Sequence, residues 1–210
     1  MKAKKVILMI LAVALICAIS VTGTLAFLKA DTGEVKNTFV AAGGGSLFKN
    51  ASGKIVLNES LAVRDTTTGA YSLQDTTKVT ENNYIVLPGT TVDKDPAVSV
   101  TEKNDVPAYV FVEIVDATGG KITWEIADGW TLASGITGAK GGVVYYLATP
   151  IVADLAPTDI LKNNEITVVN ENDLDLGDSG KTIKFYGYLA QSVVNGTTDA
   201  VEVYKACFLG

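Results

Sequence analysis

YIVLPGTTVDKDPAVSVTEKNDVPAYVFVEIV, residues 84–115, is the stretch whose reading decides the fold class. Tyr84, Val86 and Leu87 lead into Pro88-Gly89, a pair that turns the chain, and Val92 and residues 97–100 continue extended beyond it. Tyr109, Phe111, Glu113 and Val115 then alternate with Val110, Val112 and Ile114. This period of two in β-branched and aromatic residues, with prolines kept to the margins, predicts two or three antiparallel strands joined by short turns. Asp93 and Asp95 flank Lys94 at a spacing that puts two carboxylates on one side of a strand. No nucleophile or base accompanies them, so they read as solubilising edge residues rather than a catalytic pair.

The same pattern recurs toward the C-terminus. Ile122, Trp124 and Ile126 alternate with Thr123 and Glu125, and residues 143–147, 166–169 and 183–190 are further strand candidates separated by glycine-rich turns. Trp124 and Trp130 read as sheet-packing residues rather than sugar platforms. Residues 149–157 read as a connection, and Asp159 is placed to cap a short helical turn. Residues 200–208, AVEVYKACF, alternate well enough for a closing strand, although 200–206 also fits the start of a helix. Upstream of the decisive stretch, residues 54–57 and 61–63 are strand candidates, while 73–79 is too polar to assign. The expected fold is therefore all-β, an antiparallel β-sandwich with minor helical segments.

The chain opens MKAKKVILMILAVALICAISVTGTLAF, with Lys2, Lys4 and Lys5 before an apolar run and the small-x-small sequence Thr24-Leu25-Ala26. This describes a signal-peptide helix cleaved after Ala26, with Ala30 as a second candidate site; the apolar run is short for a bilayer-spanning helix, so cleavage is the better reading against an uncleaved signal anchor. The domain reading is a signal peptide over 1–26, an N-terminal segment over 27–45 that ends in three consecutive glycines, and a β-domain over 46–210. The segment is read either as a plain leader into the fold or as an exchangeable strand completing a neighbouring molecule. Cys17 follows Ile16, where lipoprotein processing needs a small residue. Its loss with the leader leaves Cys207 alone, so no intrachain disulfide is available and folding rests on the core.

The formal charge is −6, and removal of the leader's lysines makes the remainder more acidic still. Such a balance argues against nucleic acid as a partner. Histidine is absent, which excludes HExxH zinc chemistry and histidine-based triads. The most metal-like run is NENDLDLGD at 170–178, where Asp173, Asp175 and Asp178 are hard oxygen ligands suited to calcium. The run lacks the length and distal Glu of an EF-hand loop, and a solvated acidic turn is the plainer reading. No other cofactor is expected. LPGTT at 87–91 lacks the order and position of a sortase signal, and the sequons at Asn58 and Asn195 read as turns.

GTLAFLKADTGEVKNTF at 23–39 resembles the processing region of SipW-dependent secreted proteins, in particular the TasA/camelysin-like group. The small residues before Ala26, the acidic turn after it and Asn37-Thr38-Phe39 carry that resemblance. YIVLPGTTVDKDPAVSV followed by DVPAYVFVEI, the Tyr145-Tyr146 region leading to Ile166, and IKFYGYLAQSV extend it into the body. The resemblance implies a jelly-roll-like sandwich, secretion to the extracellular space or cell surface, and assembly into matrix or biofilm fibres. It implies self-association or pairing with related matrix proteins by donation of an N-terminal strand, here carried by Phe27, Val35 and Phe39. A signal peptidase is the partner during export. An adhesion or binding module is the alternative function. The group name also brings a metallopeptidase reading, but no peptidase motif in this chain matches, and no catalytic residue is assigned.

Overall fold

The computed structural model describes residues 29–31, 55–101, 106–171, 176 and 180–210. In chain order its strands are β1 (Lys29–Asp31), β2 (Ile55–Arg64), β3 (Tyr71–Val79), β4 (Thr91–Asp93), β5 (Ala97–Val100), β6 (Ala108–Asp116), β7 (Ile122–Thr123), β8 (Trp130–Leu132), β9 (Val143–Leu147), β10 (Leu155–Asp159), β11 (Glu165–Val168) and β12 (Ile183–Gln191). They form three antiparallel sheets, ordered β1-β12-β6-β9-β8, β10-β5-β2-β3 and β4-β11-β7. The all-β expectation is met.

The decisive stretch supplies the centre of the largest sheet. β6 pairs with β12 over nine residues, from Ala108↔Gln191 to Asp116↔Ile183, and with β9 on its other side. Both faces of β6 are buried from Ala108 to Ile114. Val110, Val112 and Ile114 meet Ile183, Phe185 and Leu189 of β12, Ile55 and Leu57 of β2, Val98 and Val100 of β5, and Val92 and Ile166 in one apolar core. At about 1.5–3 kcal/mol for each fully buried aliphatic or aromatic side chain, this core is the main source of stability. Tyr109 and Phe111, on the opposite face, join Tyr186, Tyr188 and Ala190 in a second, aromatic cluster.

That second cluster explains the main departure from the expected strands. Residues 200–208 form α1 (Ala200–Tyr204) continued by a wider π-helical turn over Lys205–Leu209, not a strand. Asp199 caps α1 by accepting a bond from the Glu202 amide at 3.0 Å. Ala200, Val203, Tyr204 and Cys207, at helical rather than alternating spacing, cover the aromatic face of β6 and β12. Cys207 is buried and forms no disulfide among the described residues.

Other differences have similarly local causes. Residues 84–87 belong to no strand, and Leu87 to Thr90 forms the expected turn, with the Thr90 amide on the Leu87 carbonyl and Gly89 at φ 73°. The polar run 71–79 is β3, an outer strand whose exposed face needs no apolar residues, paired with β2. Residues 155–159 are β10, another outer strand, where Pro157 is tolerated because β10 pairs only with β5. The turn near Asp159 is a single 3-10 turn, Lys162–Asn164, with Leu161 rather than Asp159 before it. Trp124 and Trp130 are partly buried against the core, and the Trp130 indole donates to the Asp159 carbonyl at 2.9 Å. Asn58 lies within β2, whereas Asn195 and Gly196 have φ 51° and 79° in a two-residue hairpin between Val194 and Thr197. Among the described residues no helix is long and apolar enough to cross a membrane.

Candidate functional site

Two clusters of buried charge stand out. The first is built where β2 outruns its neighbour. The β2–β5 ladder ends at Asn58↔Ala97, and Pro96, with no amide hydrogen to donate, begins the chain's departure. Asp95 replaces the lost strand: its carboxylate accepts from the Ser60 amide at 2.7 Å and the Ser60 hydroxyl at 2.6 Å. Asn82 closes the other end of this irregularity, donating to the Ser60 carbonyl and accepting from the Ala62 amide, both at 2.8 Å. Lys78 of β3 donates to the Ser60 hydroxyl at 2.8 Å and lies 3.5 Å from Asp95.

Glu59 follows Ile55 and Leu57 in phase along β2, so the pleat aims its side chain into the core. Lys94, just before Asp95, enters from the opposite direction, its backbone amide fixed on the Asn164 carbonyl at 2.7 Å. The two side chains are each 1% exposed, and Lys94 Nζ stands 2.5 Å from Glu59 Oε2. The rings of Tyr84 and Phe185 lie 5.4 and 5.5 Å from Nζ. Glu59 Oε1 and the Tyr84 hydroxyl are buried without a hydrogen-bond partner. Loss of water around Lys94 lowers its pKa, against the opposing pull of the Glu59 charge and hydrogen bond and of Asp95. Burial raises the Tyr84 pKa, and the Glu59 and Asp95 charges add to it.

Asp93 and Asp95 therefore do not act as a pair. Asp93 is exposed on β4 as an edge residue should be, but Asp95 is buried and Lys94, between them, is more deeply buried still. The solubilising reading of Asp95 is corrected by its two bonds to Ser60.

The second cluster surrounds Glu113, fully buried on the aromatic face of β6. Oε1 accepts from the backbone amides of Lys140 at 2.8 Å and Gly142 at 2.7 Å. Oε2 accepts from the hydroxyls of Tyr188 at 2.8 Å and Tyr204 at 3.2 Å. Tyr204 in turn accepts from the Ala139 amide at 3.1 Å. One carboxylate thus ties the 138–142 turn, β12 and α1 to β6. Burial, followed by the hydrogen bond to Glu113, raises the Tyr188 pKa; burial does the same for Tyr204.

A cleft of about 310 Å³, lined by Asn82, Tyr84, Val86, Ile122, Ile166 and Ile183 among others, borders the first cluster. A cleft of about 590 Å³ lined by Thr123, Trp124, Glu125, Lys162, Asn163 and their neighbours is shallow and polar, with Lys162 and Glu125 paired across it at 2.6 Å. Among the described residues no three His, Cys, Asp or Glu side chains are grouped to hold a metal ion. The calcium candidates Asp173, Asp175 and Asp178, the candidate cleavage residue Ala26 and the candidate donor-strand residues Phe27, Val35 and Phe39 lie outside the described residues.

No protein-family model matches the chain, and neither a curated protein nor a solved structure matches it.

Of the charged residues at the centre of the two clusters, Glu59, Lys94 and Glu113 carry no signal of their own in the sequence. Glu59 falls inside the sequon that begins at Asn58, Lys94 stands between two aspartates, and Glu113 is one beat of an alternation. The signal that finds them is a charged residue at the apolar-phase position of a strand: Glu59 after Ile55 and Leu57, Glu113 after Tyr109 and Phe111.

Proposed function

We propose that this is a secreted structural protein, a subunit of extracellular matrix or biofilm fibres that assembles by strand donation from a jelly-roll-like β-sandwich. The single observation that carries the reading is β1. Lys29–Asp31 lies in the N-terminal segment and pairs antiparallel along the outer side of β12, Lys29↔Ala190 to Asp31↔Tyr188. Three residues give a short ladder, and they cover an edge whose own residues Tyr188, Leu189 and Ala190 are almost completely buried. A strand held by so few backbone bonds is one that a neighbouring copy can replace, with main-chain hydrogen bonds supplying affinity and side-chain pockets supplying specificity. The resemblance of residues 23–39 to the SipW-dependent processing region supports export and removal of the segment through Ala26.

Electron microscopy of the mature protein beginning at Phe27, beside a version lacking residues 27–42, tests the reading. Filaments from the first and none from the second are expected. A mature protein that stays monomeric at high concentration, or filaments that survive the truncation, overturns it.

A further inference from the structure

We propose that Lys94 and Glu59 are joined by an intramolecular amide, a covalent cross-link that the folded chain forms by itself. The geometry is that of two reactants held together: an amine nitrogen 2.5 Å from a carboxyl oxygen, both side chains 1% exposed, with the carboxyl carbon one bond further on. The rings of Tyr84 and Phe185 stand on the nitrogen and keep water away. Glu59 is bound through Oε2 alone, its Oε1 being buried without a hydrogen-bond partner. A carboxylate meant to remain ionised inside a protein is usually satisfied on both oxygens, as Glu113 is here by four donors. The nearby Asp95 is not the acceptor, because both its oxygens are occupied by Ser60.

The step balances without an oxidant or a cofactor. A proton passes from the Lys94 ammonium to the Glu59 carboxylate, leaving an amine and a carboxylic acid and cancelling two buried charges. Burial already lowers the Lys94 pKa and so favours the amine. The nitrogen lone pair adds to the Glu59 carbonyl carbon, the N–C bond forms, and one C–O bond breaks. The departing hydroxyl takes a remaining proton from nitrogen and leaves as water. In water this condensation is slow and poorly favoured. Fixed reactants with effective molarities of order 10⁵ M or more, in a site from which water is excluded, reverse both disadvantages.

The bond would link β2 to the connection between β4 and β5 and close a loop containing β3 and the Pro88-Gly89 turn. It would give a covalent staple to a chain whose two cysteines, Cys17 and Cys207, include one in the leader. The inference stands on this geometry and not on the assembly reading, so either can fail without the other.

Intact-mass spectrometry of the folded mature protein, followed by tryptic mapping, tests it. The expected mass is one water below that of the linear chain. Trypsin is expected to fail after Lys94 and to release a branched species joining peptide 55–64 to peptide 79–103, with fragment ions that place the link at Glu59 and Lys94. A Lys94→Met variant is expected to show the full linear mass. A wild-type mass equal to the linear chain, free cleavage after Lys94, or a lost water that maps elsewhere overturns the proposal. The wild-type measurement decides even if the variant does not fold.

Discussion

The Tyr204 hydroxyl donates to Glu113 Oε2 at 3.2 Å across 91 residues of sequence, joining the C-terminal helix to the central strand of the largest sheet. The bond works in company, because the same carboxylate holds Tyr188 and two amides of the 138–142 turn. Substituting Glu113 by alanine removes the carboxylate that accepts from two hydroxyls and two backbone amides, at about 3–5 kcal/mol in total. Glu113→Gln keeps the shape but loses the charge, at about 2 kcal/mol. Thermal unfolding is expected to show the Ala variant melting well below the Gln variant, and both below wild type. Equal melting of all three would show that the carboxylate holds nothing.

Gly142 sits where a side chain has no room. A Cβ there would lie 2.4 Å from the Ile114 carbonyl oxygen, a backbone atom inside the β6–β9 ladder that cannot swing aside. Gly142→Ala is expected to cost about 1–3 kcal/mol through backbone displacement and loss of the Gly142 bond to Glu113. Chemical denaturation measures it, and an unchanged midpoint would contradict the packing described.

Alkaline pH acts on the buried tyrosines. The pKa values of Tyr84, Tyr188 and Tyr204 are all raised in the folded state, chiefly by burial, above the unfolded value of about 10. A group with a raised folded pKa contributes its full stability below the unfolded pKa, and that contribution falls as pH rises beyond it. Stability is therefore expected to hold up to about pH 10 and to decline steadily above it. Three of the eight tyrosines should ionise only as the protein unfolds, seen as a late, cooperative part of the tyrosinate absorbance change that coincides with loss of circular dichroism. Titration of all eight in one gradual step near pH 10, with the fold intact, would contradict this.

Strand character was most legible where both faces of a strand are buried. β6 and β12 read as dense β-branched and aromatic runs because one face meets the core and the other meets α1. β3 was illegible for the opposite reason: it is exposed along most of its length, so its residues carry no apolar phase. α1 reads ambiguously because VEVY also alternates, and the signal that favours the helix lies in Asp199 at the cap and in the spacing of Ala200, Val203, Tyr204 and Cys207. The buried charges were hidden by their company. Lys94 between two aspartates looks like a solvated edge, and only the three-dimensional path, with Asp95 turning back to Ser60, carries Lys94 inward to Glu59.

Strand exchange can be read directly by placing cysteines at a register pair of β1 and β12, Lys29→Cys with Ala190→Cys, in a Cys207→Ser background. Opposed residues of an antiparallel pair are close enough to form a disulfide. The measurement is non-reducing electrophoresis of the oxidised protein before and after assembly. The account predicts a bond within one chain in the monomer and a ladder of covalently joined chains in the fibres. Fibres that dissolve into single chains, each carrying only its own disulfide, would contradict it.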